Sequence, residues 1–242
     1  ESVFLMHPFD VRRGVWQRVN VDGSHGSVDP TFNHQLWFAA AGALLLPAQD
    51  NRIEQGVNRF MDCLPALVGI YPSGLICHPI SAALPSGDLL GRARRFAGQL
   101  LRGNGQQVAN TMYRKAIGYH AFNLYGLALL KQTFPVHSFW RSPKFQVTMA
   151  FPKTREFVQE IEDNEYGYPY NPPGFEIAFA LERFAGDKRA EQALWVSRQL
   201  SRCYDIKSHM MNRGTQDQMT HAARLYEATR LPDLTISLES EV

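Results

Sequence analysis

The stretch from Tyr113 to Phe134 constrains the fold more than any other. It carries Ala121, Phe122, Leu124, Leu127, Ala128 and Leu130. On a helix these cover most of the circumference instead of one stripe, so the helix has to be buried between other elements. No apolar run in the chain reaches the roughly 18 residues a membrane span requires, and Glu1 to Asp10 lacks the charged and then apolar order of a signal peptide.

Other helices gather around that one. Asp29-Pro30 reads as a helix start, with Asp able to cap and Pro suited to the first helical position. The run Phe32 to Leu46 follows, interrupted only by Gly42, and Pro47 closes it. Asn51 to Leu67 places Ile53, Val57, Phe60, Met61 and Leu64 at helical spacing, so the two helices predict an antiparallel hairpin. Gly69 to Gly87 is a long Pro/Gly/Ser connection, Leu89 to Leu101 a third helix, and Gly103 to Gly105 its stop. Further helices are expected at Pro143 to Ala150, Lys153 to Ile161, Gly174 to Phe184, Lys188 to Tyr204 and Gln216 to Arg230, with Tyr166 to Pro173 a loop. Leu234 to Leu238 forms a strand or trails.

Residues 1–28 show no sustained period and read as an irregular, extended segment ahead of a single helical domain spanning residues 1–242. The expected class is all-α. Helix pairs joined by short turns and long loops suit antiparallel hairpins in a ring or stack, here an (α/α) toroid. No fixed-period repeat marks a solenoid.

Composition excludes some functions. The 25 Lys plus Arg against 23 Asp plus Glu give a formal charge of +2, too little to collect nucleic acid, and the cluster Arg92, Arg94, Arg95 and Arg102 reads as a solvated helix face. Cys63, Cys77 and Cys203 are odd in number and scattered, which points to neither a disulfide framework nor a zinc site and favours a reducing, cytoplasmic compartment. Nothing in the pattern calls for a cofactor or metal, and no nucleic-acid or membrane partner is expected.

Five constellations could carry chemistry. At the opening of the first long helix, spacings of four put Asp29, Asn33 and Trp37 on one face, where a carboxylate, an amide and an indole could grip a sugar; the alternative is a capping Asp. His34 lies beside them. His78, in the segment Tyr71 to His78, sits in a long connection and could transfer protons near pH 7. Lys115, Tyr119 and His120 lead into the apolar helix, alongside an aromatic stripe that reads more readily as core than as a binding surface. Tyr170 and Glu176 open another apolar helix, where Glu176 could merely complement the helix dipole. In the last helix an Arg224–Glu227 pair reads as a structural ion pair.

Taken in order, these segments resemble the unsaturated glucuronyl and rhamnogalacturonyl hydrolases, glycoside hydrolase families 88 and 105. Val28 to Asn33 is similar to that family's I/V-D-x-x-x-N helix opening, Ser73 to His78 to its G-L-x-x-H loop, and Tyr113 to Tyr119 to its W-x-R-G-x-G-W segment, with tyrosines for both tryptophans, Lys115 for Arg and Ala116 for Gly. The resemblance covers residues 28–134. It implies an oligosaccharide substrate, a C4=C5 double bond of an unsaturated uronic acid that is hydrated, Asp29 as acid/base with His78 beside it, Trp37 or Tyr119 stacked on the sugar and His78 or Lys115 at its carboxylate; Asn33, His34, Tyr170 and Glu176, read from the residues themselves, are expected to bind the substrate as well. It also implies an incomplete ring, because the hairpins expected ahead of Asp29 are missing; a partner chain or a removed N-terminal segment would complete it. Two alternatives stand beside it. One is a polysaccharide lyase acting by β-elimination on a polyuronate, with Asn33 neutralising the carboxylate and His34 shuttling protons with a tyrosine. The other is a non-catalytic carbohydrate-binding or scaffold protein.

Overall fold

The computed structural model describes residues 2–48, 50–81, 105–215 and 217–238, and it is mostly α-helical. The expected helix at Leu89 to Leu101 and the Arg92 to Arg102 cluster lie outside the described residues. Two compact units emerge: residues 1–71 with 76–116, and residues 72–75 with 117–242.

The first unit opens with α1 (Ser2–Leu5) and a small antiparallel meander of β1 (Phe9–Asp10), β2 (Val15–Val19) and β3 (His25–Val28). Sequence had suggested only irregular extended chain here. The pairing is short, with Phe9 opposite Trp16 and Asp10 opposite Val15, and β2 meets β3 through an irregular register between Gln17 and Val19. Gly14 closes the first turn at φ 69°, where a Cβ would lie 2.7 Å from the Cys63 sulfur, so both conformation and space require glycine.

Trp16 anchors the meander. Only 4% exposed, it meets the rings of Phe4, Phe9, Phe38 and Phe60 at centroid distances of 5.6, 4.8, 5.2 and 5.7 Å. Phe38 and Phe60 belong to α2 (Phe32–Leu45) and α3 (Asn51–Leu67), which form the expected hairpin. Leu36, Ala39 and Ala40 of α2 are fully buried, as are Ile53, Val57 and Phe60 of α3. Gly42 is a close-approach position: a Cβ would stand 2.7 Å from both Phe4 and Val57. Asp50 caps α3 by accepting from the Arg52 amide.

The start of α2 departs from expectation. It begins at Phe32 with Thr31 as N-cap, not at Asp29-Pro30. Asp29 instead accepts the Thr31 amide at 2.9 Å in a tight turn ahead of the helix. The helical face that was to carry Asp29, Asn33 and Trp37 together therefore does not exist.

Helix α4 (Gly105–Thr133) contributes residues up to Ala116 to the first unit and the remainder to the second. It starts eight residues earlier than the apolar pattern indicated, since residues 106–111 are all exposed and carry no period. The second unit continues with α5 (Pro143–Ala150), α6 (Arg155–Glu160), α7 (Pro173–Phe184), α8 (Arg189–Cys203) and α9 (Gln218–Glu227). Ser142 and Thr154 cap α5 and α6 through their hydroxyls. The most extensive packing joins α7 to α8, where a Cβ on Gly174 would stand 2.3 Å from the Trp195 carbonyl oxygen. Two buried glutamines of α8 tie the pair: Gln192 donates to the Ala178 carbonyl at 3.1 Å and Gln199 accepts the Gly174 amide at 3.1 Å. Leu234 to Leu238 forms no strand.

Candidate functional site: the Asp29–His34 cleft

A cleft of about 240 Å³ opens in the first unit, with Trp16, Arg18, Asp29, His34, Gln35 and Phe38 in its wall. The sequence places these groups through three local devices. β2 supplies Trp16 and Arg18, the turn ahead of α2 supplies Asp29, and the exposed and buried sides of the first turn of α2 supply His34 and Gln35.

Gln35 holds the wall together. Its oxygen accepts the Trp16 amide at 2.8 Å, and its nitrogen donates to the carbonyls of Trp16 at 2.8 Å and Asp29 at 3.1 Å. One buried amide thereby fixes β2 and the Asp29 turn against α2. Sequence reasoning missed Gln35, Trp16, Arg18 and Phe38; the signal available was a polar residue among the apolar positions of α2, one place after His34.

Asp29 and His34 form the chemical pair. His34 Nδ1 lies 2.9 Å from Asp29 Oδ2, with 60% of the imidazole side chain exposed and only 15% of the carboxylate. Partial burial raises the Asp29 pKa, but the hydrogen bonds from His34 and Thr31 outweigh it, and the group ends below the usual carboxylate range. Asp29 is therefore ionised near neutrality and suits orienting an imidazole better than delivering a proton.

His78 belongs to the same neighbourhood. Its carbonyl accepts the Phe32 amide at 2.8 Å, and residues 30–32 pair with residues 78–80 through Ile80 N to Pro30 O at 2.9 Å and a bridge between Thr31 and Pro79. Its imidazole is held below the ordinary pKa by burial first, then by the positive charge of Lys115 and by His34, against an opposing pull from Asp29. Asp29, His34, His78 and Lys115 thus share one electrostatic environment. Asn33 does not join them: it is 5% exposed, and its Oδ1 accepts no hydrogen bond among the described residues. Trp37 is half-buried outside the cleft wall.

The remaining sequence candidates lie in the second unit. Tyr119 meets Tyr166 and Tyr170 at ring distances of 6.0 and 6.2 Å, and burial followed by the neighbouring Tyr170 pushes its phenol pKa upward. The cluster is set by Gly118, where a Cβ would stand 2.3 Å from that of Tyr166, and by Asn171, which donates to Gly118 O at 3.2 Å and Tyr166 O at 2.7 Å. Glu176 is fully buried, its Oε1 accepting from Arg224 Nε at 3.1 Å, and Arg224 Nη1 donates to Glu227 at 2.6 Å. Burial pushes Glu176 up to about 7, with Arg224 pulling the other way. Among the described residues, no group of three His, Cys, Asp or Glu side chains could hold a metal ion, and no helix is long and apolar enough to cross a membrane.

No protein-family model and no solved structure matches the chain. Among curated proteins it is similar to archaeal glycosylation protein Q of Haloferax volcanii, 40% identical over 248 residues that take in 98% of this chain and 66% of the relative. The chain thus spans slightly less than two thirds of that relative's length. This finding overturns the resemblance to the unsaturated glucuronyl and rhamnogalacturonyl hydrolases and with it the hydration of unsaturated uronic acids. The motifs behind that resemblance were short helix openings and loops, and the Tyr113 to Tyr119 segment carries tyrosines and Lys115 where the hydrolases carry tryptophans and arginine. The polyuronate lyase shared the premise of polysaccharide breakdown and falls with it, and the non-catalytic alternative gains nothing from the relative. What the chain resembles along nearly its whole length is a glycosylation protein.

Proposed function

We propose that this protein serves in protein glycosylation and that the Asp29–His34 cleft receives a sugar unit. The observation that carries this reading is the 40% identity across 98% of the chain to archaeal glycosylation protein Q. The cleft supports it by its chemistry. An aromatic wall, a carboxylate–imidazole pair and the guanidinium of Arg18 suit a ring bearing hydroxyls. At about 240 Å³ the space falls below the roughly 300–1,000 Å³ typical of drug-sized ligands and fits a single sugar ring.

The ionised Asp29 accepts from Nδ1–H of His34, which leaves Nε2 as an acceptor toward a sugar hydroxyl. In that tautomer His34 orients the hydroxyl or takes its proton, and Asp29 stabilises the imidazolium that results.

The test is glycopeptide mass spectrometry of surface glycoproteins from cells with and without the gene. Loss of the gene is expected to shorten or alter the glycan, wild-type protein to restore it, and His34→Ala to fail to restore it. Unchanged glycans on loss of the gene would overturn the reading.

A further inference from the structure

The second unit holds a cleft of different character, about 580 Å³ in volume, walled by the end of α4, the turn at Ser138–Arg141, α5 and the end of α7. Its floor is aromatic. Trp140, Phe145 and Phe184 pack at centroid distances of 5.3, 5.4 and 4.6 Å, with Met149 beside them. Its rim is cationic: Lys131, Arg141, Lys153 and Arg183 all line it, and among the described lining residues none is acidic.

The cations are positioned, and they are poorly neutralised. Lys131 donates to the Pro135 carbonyl at 2.5 Å, a neutral partner. Arg183 lies over the Phe179 ring at 5.0 Å, and the Gln132 amide, turned so that its oxygen rather than its nitrogen faces the guanidinium, accepts from it at 2.9 and 3.1 Å; both partners are neutral. Lys153 pairs with Glu191 at 2.9 Å, a residue that is not part of the cleft lining. Arg141 is exposed on its turn. Among the described residues, one carboxylate pairs with these four cations, which leaves a surplus of positive charge over an apolar floor.

A small inorganic anion would use the rim and ignore the floor, and a neutral hydrocarbon would do the reverse. The geometry points to a binding site for an organic phosphate, its phosphoryl oxygens meeting Lys131, Arg141, Lys153 and Arg183 and its apolar or aromatic part lying on the half-buried Met149 and Phe184, which Trp140 and Phe145 support from beneath. Lysine and arginine donors match phosphoryl oxygens as charge-assisted hydrogen bonds, and the aromatic floor supplies the desolvated surface. The inference stands apart from the sugar cleft, which lies in the other unit.

Calorimetric titration of the purified full chain tests it, with uridine diphosphate, farnesyl phosphate and inorganic pyrophosphate as probes. At least one organic phosphate is expected to bind roughly tenfold or more tightly than pyrophosphate, and to weaken as salt is raised. Whether the nucleotide or the isoprenyl compound binds tells whether a planar base or an apolar chain occupies the floor. Arg141→Ala should weaken binding about fivefold or more, while Glu191→Gln, which releases Lys153, should tighten it. Both sites are away from the core, so thermal melts are expected to match wild type. Absence of binding by both organic phosphates, equal binding of pyrophosphate, or unchanged affinity in Arg141→Ala would overturn the assignment.

Discussion

The side-chain amide of Gln35 and the backbone of Trp16 exchange two hydrogen bonds, each 2.8 Å long, so that a helix residue completes the pairing of a strand. Removing the amide in Gln35→Ala leaves the Trp16 N–H and C=O buried without partners. The expected loss is about 2–4 kcal/mol, read as a lower urea midpoint. Gln35→Glu should behave similarly at neutral pH, because a carboxylate cannot donate to the Trp16 carbonyl.

Gly42 predicts a second effect on the same unit. A methyl group there would overlap Phe4 and Val57, both 2.7 Å away. Despite alanine's better helix propensity, Gly42→Ala is expected to destabilise by about 1–3 kcal/mol. A raised melting temperature in that variant would show that α1 yields instead.

His120 is fully buried between Phe151 and Phe157 and faces the Thr148 carbonyl at 3.2 Å; burial depresses its pKa to about 3. The unfolded chain takes up this proton near pH 6.5 and the folded one does not, so stability falls as pH drops from about 6.5 toward 3, by up to about 1.4 kcal/mol per pH unit. Glu176 acts in the opposite sense. Its folded pKa is raised to about 7 from 4.5, so its contribution is present below 4.5 and lost as pH rises through 7. Urea midpoints of wild type and His120→Gln across pH 4–8 separate the two: the variant should lose much of the acid-side slope.

Arg224 serves two carboxylates, Glu176 and Glu227, and its guanidinium also lies over the Tyr125 ring at 4.5 Å. Arg224→Ala would strand a buried carboxyl and is expected to cost about 3–5 kcal/mol. Glu227→Gln, at the half-exposed end, should cost far less. Equal losses in both variants would mean the buried pair contributes nothing beyond the exposed one.

The sequence was most readable where a stop and a cap flank a periodic run. Asn51–Leu67 and Pro143–Ala150 came out residue for residue, because Pro47 closes the run ahead of one and Asp50 caps it, while Ser142-Pro143 opens the other. The ion pair Arg224–Glu227 was legible from its helical spacing, but its buried third member, Glu176, lies 48 residues away from Arg224 and carries no local signal. The first turns of α4 were lost because exposed helix has no hydrophobic period. The cleft was half visible: Asp29 and His34 stood out as titratable groups near a helix start, and the neighbouring His78 as a histidine in a long connection. Trp16 and Arg18 did not, since β2 is five residues long and sits in a segment dominated by turns. The hydrolase reading failed for a related reason. Short motifs at helix openings record capping and turn chemistry as readily as they record catalysis.

The glutamines that join α7 to α8 limit how this part of the molecule can change. Sliding one helix past the other by a turn, about 5.4 Å, would drive Gly174 off its fit against Trp195 and bury two amides without partners. The hairpin has one register and no nearby alternative, so adaptation around it has to come from the segments at its ends.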